Sequence, residues 1–203
     1  CRLPKGVMTL VDDDRQRELV AELSKIQGAV NRSGGGSAAN TMVAVAQFGG
    51  TAYYTCKLAN DPTGDFFLHD LQTAGVDSNC DETRTEGISG ECLSLITPDA
   101  ERTLSTCLGV SANLSAAEIN EDALANSRYL YLEGYLVSGD DSRDAMFRAM
   151  EIAKANDVTV SLTLSDPAMA EHFREVFDDL IERGVDLLFC NEDEAKLWLN
   201  VAT

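Results

Sequence analysis

An α/β fold is predicted by this sequence: a mainly parallel sheet with helices on both faces, from which a small β element protrudes. Three observations carry that prediction. From residue 116 onward, helical and strand-like segments alternate regularly, which implies βαβ crossovers and a sheet covered on both sides. Between Cys80 and Gly109 the helical spacing disappears and two strand-like runs face each other across Pro98-Asp99-Ala100-Glu101, the pattern of a hairpin. Earlier, Gly34-Gly35-Gly36 runs straight into an Ala-rich helical segment, as a loop that cradles a ligand does.

Gly6 to Val11 reads as a short strand. Asp13 to Lys25 reads as a helix with Leu19, Val20, Leu23 and Ile26 on one face, and Ala29 to Arg32 as another extended piece. Ala38 to Phe48 is predicted helical and stops at Gly49-Gly50. Ser37 is the natural N-cap of that helix, which places Asn40 at its third position. Thr51 to Leu58 is rich in β-formers. Asn60-Asp61-Pro62-Thr63-Gly64 follows as a turn, then a helix from Asp65 to Ala74 closed by Gly75. The hairpin strands are Glu91 to Thr97 and Arg102 to Leu108. Beyond them come helix Ala116–Ala125, strand Tyr129–Leu132, helix Asp141–Ala155, strand Val158–Leu164, helix Ala168–Glu182, strand Val185–Cys190 and helix Glu192–Leu199. No internal repeat, low-complexity linker or second globular domain stands out.

Composition narrows the function classes. The formal charge of −18 disfavours nucleic acid and anionic membrane as partners, since both are held by clustered Lys and Arg. No apolar run approaches the roughly 18 residues that span a bilayer, and no secretory leader is recognisable at the start. The six cysteines follow no C-x-x-C spacing and His69 and His172 are far apart, so neither zinc nor an Fe–S cluster is expected. Free cysteines in apolar runs, such as Cys56 and Cys190, fit a reducing cytoplasm. Cys1 is no natural initiator, so the chain is expected to begin inside a longer one.

Ligands of open α/β sheets bind beyond the carboxyl ends of the strands, and three clusters follow predicted strand ends. The first is the glycine run with Asn40, whose amide both donates to and accepts from hydroxyls. The second is Leu132-Glu133-Gly134-Tyr135. Burying Glu133 is costly unless it is paired, so it lies at an open rim or accepts ligand hydroxyls; Tyr135 is rim packing or an aromatic wall against a flat ligand. The third is Asn191-Glu192-Asp193-Glu194, which reads either as a capping box or as a carboxylate holding a hydrated Mg²⁺. Arg102, opening the second hairpin strand, is either solvated or reaches an anionic or hydroxylated ligand.

In order along the chain, Gly35-Gly36-Ser37-Ala38-Ala39-Asn40-Thr41, Gly49-Gly50, Asn60-Asp61-Pro62-Thr63-Gly64, Gly75-Val76-Asp77, Glu101-Arg102-Thr103, Tyr131-Leu132-Glu133-Gly134-Tyr135 and Asn191-Glu192-Asp193-Glu194 resemble the ribokinase-like (PfkB) carbohydrate kinases, adenosine kinase-like branch. Their order and spacing are more specific than any one motif. The resemblance implies a three-layer ribokinase-like fold with a β lid, built near residues 6–11, 29–33 and 90–108, that closes over the substrate and in many members pairs with a second subunit. It implies an ATP- and Mg²⁺-dependent kinase acting on a primary hydroxyl of a sugar or nucleoside. Gly35, Gly36, Ser37, Asn40, Glu133, Tyr135 and Arg102 would serve the substrate. Asn191 and Glu194 would organise the nucleotide phosphates, with Glu194 toward the metal.

Two elements of the family pattern have no counterpart here: an Asp-bearing first strand before Gly6, and the Gly-x-Gly-Asp motif that carries the catalytic base. The chain is therefore expected to hold the substrate part of such a kinase, with the base and most of the ATP site elsewhere. Two alternatives remain at this stage. One is a noncatalytic sugar or nucleoside sensor; the other is a dinucleotide-binding oxidoreductase, since Gly34-x-Gly36-x-x-Ala39 satisfies a loose Rossmann fingerprint.

Overall fold

The computed structural model describes residues 3–27, 31–81 and 83–200. The chain divides into two compact units, residues 1–112 and 113–203.

In the first unit, strands β1 (Met8–Leu10), β4 (Glu91–Ile96) and β5 (Arg102–Cys107) form one sheet in the order β1-β5-β4. The hairpin pairs antiparallel from Glu91↔Cys107 to Ile96↔Arg102. β1 joins it parallel to β5; the sequence grouped this strand with the hairpin but gave neither the direction nor the register. Helix α1 (Asp13–Gln27) packs on β5, and its Leu19 is wholly buried. Gln16 of α1 is also buried and meets its hydrogen-bonding needs there: Ser105 Oγ donates to its Oε1 at 2.9 Å, and its Nε2 donates to the Ser105 carbonyl at 3.3 Å. Period-two alternation leaves the opposite face with Met8, Leu10, Cys92, Ile96 and Arg102 exposed.

The rest of this unit is α2 (Ser37–Gln47), β2 (Ala52–Tyr54), α3 (Pro62–Thr73) and β3 (Val76–Ser78), with β2 and β3 paired parallel. Ala39, Leu71 and Val76 are its packed centre. The expected strand Thr51 to Leu58 shrinks to three residues, because Cys56 turns its backbone to a side chain instead of a neighbouring strand. Its N–H donates to Asn79 Oδ1 at 2.9 Å and its carbonyl accepts from Asn79 Nδ2 at 2.8 Å. Helix α3 starts three residues earlier than expected, since Pro62 at its first turn and Asp61 as N-cap both favour a helix start. The extended piece predicted at 29–32 lies partly outside the described residues, and residues 31–33 carry no regular structure.

In the second unit, β6 (Tyr129–Glu133), β7 (Thr159–Thr163) and β8 (Leu187–Phe189) form a parallel sheet in that order. Val160, Ser161 and Leu162 are all buried, so both faces of β7 are covered, as expected of a central parallel strand. Helix α5 (Asp140–Ala155) contributes Met146, Ala149, Met150 and Ala153 to the core beside Phe177 and Leu180. The helix expected from Ala116 to Ala125 is a 3₁₀ turn at 116–118 followed by α4 (Glu121–Ala125), because Ser115 and Asn120 each start a new cap. The helix expected from Ala168 to Glu182 breaks at Phe173 into α6 (Pro167–His172) and α7 (Arg174–Glu182). Helix α8 (Glu192–Leu199) has the bounds predicted for it. No helix among the described residues is long and apolar enough to cross a membrane.

Asp61 does more than cap α3. Its Oδ1 accepts from Gly64 N at 2.8 Å and from Ser89 Oγ at 2.7 Å, and its Oδ2 accepts from Ser89 N at 2.8 Å. Desolvation pushes this carboxyl's pKa up, but the Ser89 and Gly64 hydrogen bonds and the Arg84 guanidinium outweigh it and hold the pKa below the ordinary carboxylate range. Asp61→Ala is expected to cost about 1–2 kcal/mol in urea unfolding. Because the folded-state pKa is depressed, this stabilisation is present above the ordinary Asp range and is lost as pH falls through the folded value. The variant should therefore show a flatter acid limb than the parent.

Candidate functional site

The glycine cradle sits in the first unit. Residues 31–36 form an irregular segment that ends at Gly36, with φ 102° and ψ 135°, a conformation closed to side-chain-bearing residues. Helix α2 therefore begins at Ser37 and its N-cap is Gly36. The expected Ser37 cap is corrected: only a glycine completes the turn, so the serine is carried into the first helical position and Asn40 into the fourth. With glycine at the cap, no side chain closes this helix start, and its first N–H groups point out of the end of the helix. Gly34 N donates to Asp70 Oδ2 at 2.9 Å, which ties the cradle to α3. A Cβ at Gly35 would meet nothing within 4 Å, so the backbone there is open to an incoming group. Asn40 is exposed.

Arg102 lies at the start of β5 opposite Ile96, exposed beside the hairpin turn. Asp61, Pro62 and Thr63, in a segment that sequence reasoning treated as a turn, line a cavity of about 380 Å³ with Gln16, Ser89 and Glu91. Thr63 Oγ1 donates to Glu91 Oε1 at 2.5 Å, and Arg32 reaches both at 3.0 and 3.3 Å.

In the second unit, the parallel register puts Glu133, Thr163 and Phe189 side by side, the last residues of three adjacent strands. The turns leaving those strands place Tyr135 within the field of Glu133, Glu194 and Asp166, and Ser165 against Glu133; the sequence reading named neither Ser165 nor Asp166. Glu133 is half-buried, and Ser165 Oγ donates to its Oε1 at 3.1 Å. Gly134 is buried: a Cβ there would lie 2.5 Å from the Thr163 carbonyl oxygen and 2.7 Å from that of Leu164. Tyr135 is 39% exposed in a 3₁₀ turn, Gly134–Ser138. Its hydroxyl pKa is pushed up by burial and then by the carboxylates of Asp166, Glu133 and Glu194, so this edge of the sheet carries a concentrated negative field.

Asn191 and Glu194 form a complete capping box at α8. Asn191 Oδ1 accepts from Glu194 N at 2.8 Å, while Glu194 Oε2 and Oε1 accept from Asn191 N at 3.1 Å and Nδ2 at 2.8 Å. Glu194 is 6% exposed. Both carboxylate oxygens are thus engaged, yet each retains an acceptor site. That donor set fits a hydrated Mg²⁺, which keeps several of its waters and uses few carboxylates. Among the described residues no group of three His, Cys, Asp or Glu could hold a metal ion by itself, so such a metal would depend on ligand oxygens as well.

Residues 7–203 match the model of the pfkB family carbohydrate kinases. The chain belongs to that family. Among curated relatives, it is 28% identical over 202 residues to guanosine-inosine kinase of Escherichia coli K12, covering 96% of this chain and 46% of the relative. It is 31% identical over 172 residues to 5-dehydro-2-deoxygluconokinase of Bacillus velezensis, covering 82% and 52%. Among solved structures, adenosine kinase from Sinorhizobium meliloti superposes with a TM-score of 0.87 at 32% identity, covering 99% of this chain and 61% of that one. The fold is therefore the ribokinase-like α/β fold expected. The chain spans about half the length of the curated relatives it matches.

Within this pfkB-family framework Gly134 is a packing requirement, because it lets the β6 exit lie against the β7 exit. Gly134→Ala is expected to force the two turns apart and cost on the order of 1–3 kcal/mol, read as a lower urea midpoint at an unchanged m-value.

Proposed function

We propose that the protein is an ATP- and Mg²⁺-dependent kinase that phosphorylates a primary hydroxyl of a nucleoside or sugar. The observation that carries this reading is the row formed by Glu133 and the Asn191–Glu194 box at the carboxyl ends of parallel strands, in a chain of the pfkB family. Similarity to an adenosine kinase and a guanosine-inosine kinase favours a nucleoside.

In this reading the acceptor oxygen forms a bond to the γ-phosphorus as the bond from that phosphorus to the ADP oxygen breaks. The hydroxyl proton passes to a general base that is assigned to no residue of this chain. ATP would supply the phosphoryl group, and Mg²⁺, when bound, would neutralise charge developing on it. The chain's own part is binding and orientation. Gly35, Gly36 and Ser37 offer close backbone approach, and the Asn40 amide grips a hydroxyl as donor and acceptor. Glu133 accepts from a substrate hydroxyl, and Tyr135 offers a flat wall. Glu194, oriented by Asn191, would hold the hydrated metal.

The β1-β5-β4 sheet, with Arg102 and the exposed Met8, Leu10 and Ile96, is the proposed lid, and a homodimer through that lid is part of the proposal. A cytoplasmic location is part of the proposal, in keeping with thiols such as Cys56 and Cys80, whose sulfurs share a hydrogen bond at 3.5 Å.

A transfer assay with ATP and a panel of adenosine, guanosine, inosine and ribose, on the full-length protein, tests the reading. Binding without transfer would favour the sensor alternative. Asn40→Ala is expected to weaken binding of the selected acceptor by about 1–3 kcal/mol, measured by calorimetry; unchanged affinity removes Asn40 from the site. Glu194→Gln keeps a residue that can complete the capping box but removes the charge. Its half-saturating Mg²⁺ concentration should rise, whereas an unaltered titration leaves Glu194 with capping alone.

A further inference from the structure

Sequence reasoning passed over Ser165, which the structure places at the exit of β7 with an unusual backbone and two contacts to the neighbouring strand end. Its φ is +69°, in the left-handed region that serine seldom occupies. Its N–H donates to Thr163 Oγ1 at 3.2 Å, which helps fix the turn. Its hydroxyl receives the Gly134 N–H at 2.8 Å and lies 3.1 Å from Glu133 Oε1.

The direction of those bonds follows from the chemistry of the groups. A backbone N–H only donates, so the Ser165 oxygen is the acceptor toward Gly134. A serine hydroxyl carries one proton, and an ionised carboxylate only accepts, so that proton points at Glu133. The turn thus directs a charge-assisted hydrogen bond from the end of β7 to the carboxylate at the end of β6. A residue kept in a sparsely populated conformation by its surroundings is commonly found where a side chain must be aimed.

We propose that Ser165 is a positioning residue for substrate recognition: it holds the Glu133 carboxylate in the orientation that accepts a substrate hydroxyl. This rests on the reading of Glu133 given above. Ser165 touches no substrate in this role. Its effect passes through Glu133, and that separates it from a residue that only staples β6 to β7.

The test is a double-mutant cycle on the full-length protein, with adenosine affinity read by calorimetry. Ser165→Gly is the variant of choice, because glycine accepts the positive φ while the change removes the hydroxymethyl group that carries the hydroxyl. It is expected to weaken adenosine binding roughly tenfold, as loss of a hydrogen bond to a charged partner does. In a Glu133→Ala background the same change should have less than about a twofold effect, since the group it orients is gone. Equal losses in both backgrounds would overturn the positioning role while leaving Glu133 as a substrate ligand. If Glu133→Ala alone binds adenosine as the parent does, the reading of Glu133 fails and the role of Ser165 falls with it. A urea midpoint for each variant separates loss of fold from loss of affinity.

Discussion

The register of β6, β7 and β8 is the constraint on which the second unit's chemistry depends. Val160 and Leu162 face a dry core, and Ser161, buried between them on the other side, is satisfied by donating to the Leu130 carbonyl at 2.9 Å. Sliding β7 by one residue would exchange those faces and strand the hydroxyl in hydrocarbon. The start of β8 is pinned as well: Asp186 N donates to the Val160 carbonyl and Asp186 Oδ2 accepts from Val160 N, each at 2.8 Å. With both neighbours fixed to β7, the three strands end in one rank. That rank lets Ser165, just past the end of β7, reach Glu133, the last residue of β6.

The two helix starts proposed to meet ligands are finished in opposite ways. At α8 the orphan N–H groups are served internally, by Asn191 and Glu194 acting on each other, which keeps Glu194 oriented and largely out of water. Structural and functional readings of this box do not compete, because a carboxylate held by two N–H donors keeps acceptor capacity toward metal-bound water. At α2 the cap is Gly36, which has no side chain to offer.

Legibility in the sequence followed the range of the interactions involved. Helix α8 was readable to the residue because its cap, its box and its end are local. The hairpin was readable because the two strands are neighbours in sequence and Pro98-Asp99 marks the turn. The parallel pairing of β1 with β5 was not, since Met8 and Leu104 meet across nearly a hundred residues and three-residue strands carry no usable period. The break at Phe173 was hidden because neither glycine nor proline marks it. Ser37 was misplaced by one position because its side chain suits a cap better than glycine does, while the φ that only Gly36 can adopt is invisible in composition. Ser165 was missed for a related reason: Leu164-Ser165-Asp166-Pro167 reads as an ordinary helix start, and only the fold shows that the serine faces back toward Glu133.

The acidic character of the chain acquires a more specific meaning at this edge. Glu133, Asp166 and Glu194 all raise the pKa of Tyr135, so their fields overlap there and a bare polyphosphate would be repelled. A divalent cation reverses the sign of that interaction, because it can accept phosphate oxygens on one side and carboxylate-bound waters on the other. Under the proposed activity, the nucleotide would therefore be admitted as its metal complex, and the same carboxylates that exclude the free anion would select the loaded one. Under the same proposal a substrate hydroxyl would be favoured by that field, since a negative edge attracts the hydroxyl proton and leaves the oxygen's lone pairs turned away from the carboxylates. One cluster of acids can in this way discriminate between the two reactants by charge, before any contact specific to a base or a sugar is made.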